Sequence, residues 1–214
     1  MDAPRRAIVI IDVQHDDAAG PLEIRFPPRE ESLPRIARVI DAATAARIPV
    51  VVVQHTGGVG SPIFDPETGG FALSAEVAER MRDDWKSVVK QHGSVYAQTD
   101  VAQWLRAQQV DTVTLIGFMT NNCVLATAVE GEGLGFTTEV LADATGAIDL
   151  ANDAGFVDAE TLHTTLLTLL ASSFAAVAST DAWIAALEAR APLSRSDLGT
   201  SSVAGAERAG RHTA

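Results

Sequence analysis

The sequence predicts an α/β fold in which helices cover both faces of a six-stranded, mainly parallel sheet. Three observations carry this reading. Short apolar runs rich in β-branched residues alternate with longer segments of helical periodicity. The runs are apolar almost throughout, the pattern of strands covered on both faces. With 214 residues and 47% hydrophobic content, the chain can bury one sizeable core, and its length suits one large domain better than two small ones.

The strands are read in order as AIVIID at 7–12, PVVVVQ at 49–54, SVVK at 87–90, TVTLIGF at 112–118, TTEVLA at 137–142 and FAAVAS at 174–179. Each is short and dominated by apolar or β-branched residues. Between them, apolar residues recur at helical spacing in LPRIARVIDAATAARI (33–48), SAEVAERMRD (74–83), TDVAQWLRAQQ (99–109), CVLATAVEGEGL (123–134), DAETLHTTLLTLLAS (158–172) and TDAWIAALEAR (180–190). The connection from Thr56 to Phe71, TGGVGSPIFDPETGGF, is long and rich in Gly and Pro, the kind of loop that is functional or mobile. Its GGVG lacks the GxxxxGK[ST] spacing and the strand-turn-helix setting of a phosphate cradle. From Pro192 onward large apolar residues are few, so residues 1–191 are expected to form the domain and 192–214 a flexible tail.

A formal net charge of −12 disfavours nucleic acid and anionic membranes as partners, because both are gripped by clustered Lys and Arg. The apolar run after Arg5 and Arg6 is too short for a signal sequence or a membrane span, which points to the cytoplasm. The single cysteine, Cys123, fits a reducing compartment and excludes an intrachain disulfide or a cysteine-based zinc site. The five histidines, His15, His55, His92, His163 and His212, are scattered rather than spaced as ligands, so no metal is expected.

Ligands of a parallel α/β sheet gather beyond the carboxyl ends of its strands. Three residues there could carry chemistry. Asp12 ends the first apolar run, where a carboxylate is costly unless paired or solvated. Lys90 ends SVVK and could meet that carboxylate. Cys123 follows the fourth strand by five residues and opens a helix. Helix-terminal N–H groups and a neighbouring lysine would favour its thiolate; a nearby carboxylate could instead take the thiol proton directly. Each residue alone also has a plain structural explanation: a buried small hydrophobe for Cys123, a turn or cap for Asp12, a solvated strand end for Lys90.

Together, IIDVQ, VVKQHGSVYAQTDVAQWL and GFMTNNCVLATAVEGEGLGFTTEVLADA resemble the isochorismatase-like cysteine hydrolase superfamily, over about residues 6–183. The matching positions are Asp12 with Gln14, Lys90 with Ser94, Tyr96 and Thr99, and the G-x-x-T-x-x-C-V of Gly117, Thr120, Cys123 and Val124. The resemblance implies a three-layer α/β/α, Rossmann-like fold with strand order 3-2-1-4-5-6. It also implies roles: Asp12 as general base, Lys90 as the cation stabilising the ionised site, and Cys123 as nucleophile. A cis peptide between Phe118 and Met119 is implied, with the Met119 and Cys123 amides as oxyanion hole. The implied reaction is metal-independent hydrolysis of a linear or cyclic amide of a small molecule through a thioester, with no cofactor. Superfamily members commonly form homo-oligomers, so a dimer or larger assembly is expected.

Nicotinamidases of this superfamily carry a metal-binding Asp-x-His after the second strand. Here the segment reads VVVVQHTGGVGSP, which argues against that activity. QHTGGVGSP and DATGAIDLANDAG look like the branch containing streptothricin-type lactam hydrolases, which adds ring-opening to the substrate classes. Gln14, His55, Tyr96, Phe118, Asn121 and Asn122 flank the trio as candidate substrate contacts. Trp85 is read as pocket wall or core aromatic, and His163 as lying on a helix face. The competing functions are an isochorismatase cleaving an enol ether and a non-catalytic binding protein. Retention of Cys123 favours amide chemistry over the first, and the intact trio favours catalysis over the second.

Overall fold

The computed structural model describes residues 3–211; His212 lies outside them. Its strands are β1 (Arg6–Ile11), β2 (Val50–His55), β3 (Lys86–Lys90), β4 (Thr112–Phe118), β5 (Thr137–Gly146), β6 (Leu150–Asn152), β7 (Gly155–Val157) and β8 (Ala176–Ala178). Six of them form one parallel sheet in the order β3-β2-β1-β4-β5-β8. This is the expected α/β architecture and strand order. The antiparallel pair β6 and β7 is an added hairpin, too short at three residues a strand to show in the sequence pattern.

The helices are α1 (Arg29–Ala46), α2 (Ala75–Ala78), α3 (Val101–Ala107), α4 (Leu125–Gly133), α5 (Ala159–Ser173), α6 (Thr180–Glu188) and α7 (Leu198–Arg208). Side chains alternate across a strand, which explains the unbroken apolar runs. Ala7, Val9 and Ile11 of β1 enter one core with Val101, Leu105, Ala128 and Leu170 from α3, α4 and α5. Ile8 and Ile10 enter the other with Ile36, Val39, Ile40 and Trp183 from α1 and α6.

Several boundaries differ from the sequence reading. α1 starts at Arg29, four residues before Leu33, with Glu30 and Glu31 in its first turn complementing the helix dipole. The helix read at 74–83 shrinks to four residues because Val77 is the one buried apolar residue there, leaving no apolar stripe to hold a longer one. The tail contains α7, capped by the Asp197 carboxylate accepting from the Thr200 amide at 2.8 Å, with no residue buried. Among the described residues, no helix is long and apolar enough to cross a membrane.

Candidate active site

Asp12 leaves β1 in a left-handed conformation, φ 51°, which Asp tolerates better than most residues. Its amide still donates to the Val53 carbonyl at 3.0 Å, so the turn is held against β2. Lys90 and His55 are register partners on β3 and β2, which brings their side chains to the same face of the sheet. The next strand in, β4, comes so close to β1 that a Cβ on Gly117 would lie 2.1 Å from the Ile11 carbonyl oxygen. Gly117 also has φ 103°, so both space and backbone demand the glycine of the G-x-x-T motif. After the cis Phe118–Met119 peptide, Thr120–Val124 forms a π-helical turn in which the Val124 amide donates to the Met119 carbonyl at 3.2 Å. The motif threonine, Thr120, is fully buried and bonded to His163 Nδ1 at 2.9 Å.

These elements converge on one cation. The Lys90 ammonium lies 2.7 Å from Asp12 Oδ2, 3.1 Å from His55 Nδ1 and 3.2 Å from Cys123 Sγ. An ammonium has three N–H donors and no acceptor, so these contacts use all three. His55 Nδ1 is therefore the acceptor, and the imidazole carries its proton on Nε2. Burial and the charge of Lys90 lower the His55 pKa to about 4, which keeps the ring neutral in the physiological range.

The thiol is placed differently from the sequence expectation. Cys123 lies inside the π turn rather than at the first position of α4, which begins at Leu125. Burial first, and the Asp12 carboxylate second, push its pKa up to about 12, outweighing Lys90. The resting sulfur is a thiol. Burial likewise raises the Asp12 pKa, against the ion pair with Lys90 that lowers it. Asp12 Oδ1 is buried with no hydrogen-bond partner among the described residues, and the Asp12, His55 and Cys123 ligand atoms lie within 4.8 Å of one another. A proton acceptor thus stands beside the neutral thiol, the second of the two arrangements the sequence left open.

The scattered histidines concealed this proximity: Asp12, His55 and Cys123 converge at a spacing that could hold a metal. The ammonium of Lys90 is bonded to all three, so a metal at their centre would have to displace it.

Asp12, His55 and Cys123 line a cavity of about 320 Å³; Lys90, fully buried, does not. Phe118, Asn121, Asn122 and His55 line it, as does Met119 of the expected oxyanion hole. Gln14 and Tyr96 do not. Gln14 is fully buried, its side-chain oxygen accepting from the His55 amide at 2.7 Å and its NH₂ donating to the His55 and Phe71 carbonyls, so it fixes the strand end and the loop. Tyr96 stacks on Phe136 in the core, centroids 5.7 Å apart. Trp85 packs in the opposite core, and His163 donates through Nε2 to the Ala142 carbonyl at 3.0 Å, bracing Thr120.

Sequence reasoning missed Asp17, Leu22, Ile63, Phe64, Ile148 and Leu150, all of which line the cavity. Asp17 lies in a 3-10 turn, His15–Ala18, beyond the first strand, and its place five residues after Asp12 was the one available signal. Ile63 and Phe64 come from the long Gly/Pro loop, tied down by the Asp16 carboxylate accepting from the Phe64 amide and by Gln14 and Gln54 donating to the Phe71 carbonyl.

Comparison with known proteins agrees with this fold. The family model described as the isochorismatase domain matches residues 6–182. A crystal structure of an isochorismatase-type protein from Burkholderia xenovorans LB400 superposes with a TM-score of 0.92 at 45% identity, covering 97% of this chain and 99% of that one. The secreted isochorismatase effector Isc1 of Verticillium dahliae is 32% identical over 173 residues, 80% of this chain and 86% of that protein. Ureidoacrylate amidohydrolase RutB of Stutzerimonas stutzeri is 28% identical over 196 residues, 75% of this chain and 78% of that one. With the domain matched across most of its length and the strand order in place, this chain belongs to the isochorismatase family of hydrolases.

Proposed function

We propose that the protein hydrolyses a C–N amide bond of a small molecule, linear or cyclic, with Cys123 as nucleophile. The observation that carries this is the Lys90 ammonium holding together Asp12 and a neutral Cys123, both of which line a cavity. Similarity to an amidohydrolase supports the choice of bond. As a substrate carbonyl settles over the thiol, Asp12 accepts the sulfur's proton and a C–S bond forms. The Met119 and Cys123 amides stabilise the oxyanion, and Lys90 offsets the negative charge at the site. The C–N bond then breaks, the amine taking the proton from Asp12, and a thioester remains. Water attacks it, giving one proton to Asp12; the C–S bond breaks and the thiol is restored, so one water is consumed per amide.

The test is ammonia release from a panel containing nicotinamide, maleamide and δ-valerolactam (amino acid release for the lactam), with pyruvate release from isochorismate run alongside. Cys123→Ala and Asp12→Asn should each lower turnover of the best amide by about a thousandfold or more, with unchanged circular dichroism. A Cys123→Ala variant that keeps most of its amidase activity would remove the nucleophile, and pyruvate as the only product would replace amide with enol-ether chemistry.

A further inference from the structure

We propose that the cavity selects an uncharged substrate, an amide with an apolar acyl chain or ring and no carboxylate. The word amide rests on the function proposed above; the selection by charge does not. Apolar residues dominate the cavity wall: Leu22, Ile63, Phe64, Phe118, Ile148 and Leu150 line it, together with Met119. Its ionisable lining is acidic apart from His55, with Asp12 and Asp17 both part of it. A carboxylate entering such a space gives up its hydration and needs a cation in return.

Among the described residues, no Lys or Arg lines the cavity to answer it. Lys90 is buried and spends its three donors on Asp12, His55 and Cys123. Arg29, the guanidinium whose charge acts on Asp17, does not line the cavity; its Nη2 donates to the Gln14 carbonyl and to Ser74 Oγ, and its Nε is buried without a hydrogen-bond partner among the described residues. What the wall does offer suits an uncharged amide. Asn121 and Asn122 can both donate and accept, and His55 keeps its Nε2–H. Asp17, only 1% exposed, holds the Gln14 amide with Oδ2 and leaves Oδ1 without a hydrogen-bond partner among the described residues. Burial raises its pKa well above the ordinary carboxyl value, so a protonated Asp17 would bring an O–H donor for a carbonyl. By the same chemistry, isochorismate, with two carboxylates, fits this space poorly.

Cys123 is the only thiol, so alkylation reads the cavity directly. Iodoacetamide and iodoacetate are close in size and differ by one charge. Their rates on the full chain, at one pH, are compared as a ratio with the ratio for 2-mercaptoethanol, an uncharged thiol. The protein should favour iodoacetamide by about tenfold or more beyond that reference, the equivalent of roughly 1.4 kcal/mol. Leu150→Arg sets a guanidinium on the exposed rim and should bring the ratio back toward the reference. A wild-type ratio equal to the reference or inverted overturns the proposal, as does a folded Leu150→Arg protein with the wild-type ratio. Labelling by neither reagent until the chain is denatured would show a space closed to both, and would also overturn it. Maleamide and maleamate, which share an acyl skeleton, supply the second arm: ammonia from maleamide in clear excess is expected, and preference for maleamate contradicts the selection. If neither amide turns over while the alkylation ratio holds, the support for amide chemistry falls and selection by charge stands.

Discussion

Lys90 touches Asp12, His55 and Cys123, and burial acts on the same three groups more strongly than its charge does. Burial raises the Asp12 pKa and Lys90 pulls it back down, burial and Lys90 together lower that of His55, and for Cys123 burial first and the Asp12 carboxylate second outweigh Lys90 and keep the sulfur protonated. Asp12 and Lys90 stand at the ends of apolar runs and Cys123 at the start of a helical segment, and each alone has a plain structural explanation; it was their combination, through its resemblance to a family, that made the trio legible. His55 became part of the cluster only through its register with Lys90, which no sequence pattern displays. Asp17 was overlooked because a carboxylate after a motif strand looks like an ordinary turn residue. Its burial yields a pH prediction. Burial and the charges of Asp12 and Asp16 raise its pKa, against the Gln14 amide and Arg29, which lower it. A folded-state value above the unfolded one stabilises the protein at low pH, and that contribution is lost as pH rises through the folded value. Asp17→Asn cannot ionise, so its gain in melting temperature over wild type should be larger at about pH 8 than at about pH 5. Equal gains at both would mean a carboxyl in its ordinary range.

At the scale of elements, the strands were the most legible because their apolar runs report burial on two faces. The starts and ends of helices were less so. α4 was read from Cys123, whereas the chain spends five residues in a π turn that aims the sulfur at Lys90 before the helix begins. Hydrophobic periodicity is blind to that difference, since Cys123 and Val124 face the same core either way. The close approach of β4 to β1 carries its own prediction. Gly117→Ala places a methyl against the Ile11 carbonyl in a left-handed backbone, so it should destabilise the fold by more than about 2 kcal/mol in urea unfolding. A loss under about 0.5 kcal/mol would show that the strands can part without cost.

Across the whole molecule, the end of the sheet opposite the active site is fastened by a buried pair. Arg6 Nε and Nη2 donate to both carboxylate oxygens of Glu139 at 2.8–3.1 Å, and Glu139 also accepts from Thr114 and from Trp183 Nε1. The arginine and the glutamate lie 133 residues apart, so neither partner was visible from the other's surroundings in the chain. Glu139→Ala strands a buried guanidinium and should lower stability by about 3–5 kcal/mol, while the variant that remains folded keeps its active-site chemistry. A change within about 0.5 kcal/mol would make the pair dispensable. With its framework fixed at that end, the fold can hold a carboxylate, an ammonium and a thiol together at the other. The most direct measurement on that arrangement is the pH dependence of iodoacetamide alkylation at Cys123, read by intact mass, in wild type and Asp12→Asn. A midpoint clearly above the ordinary thiol value of about 8.5 is expected in wild type, and a lower one in Asp12→Asn, because the carboxylate's charge keeps the proton on sulfur. A wild-type midpoint below that value, or one that rises when Asp12 is neutralised, would contradict the neutral thiol and the part Asp12 plays in holding its proton.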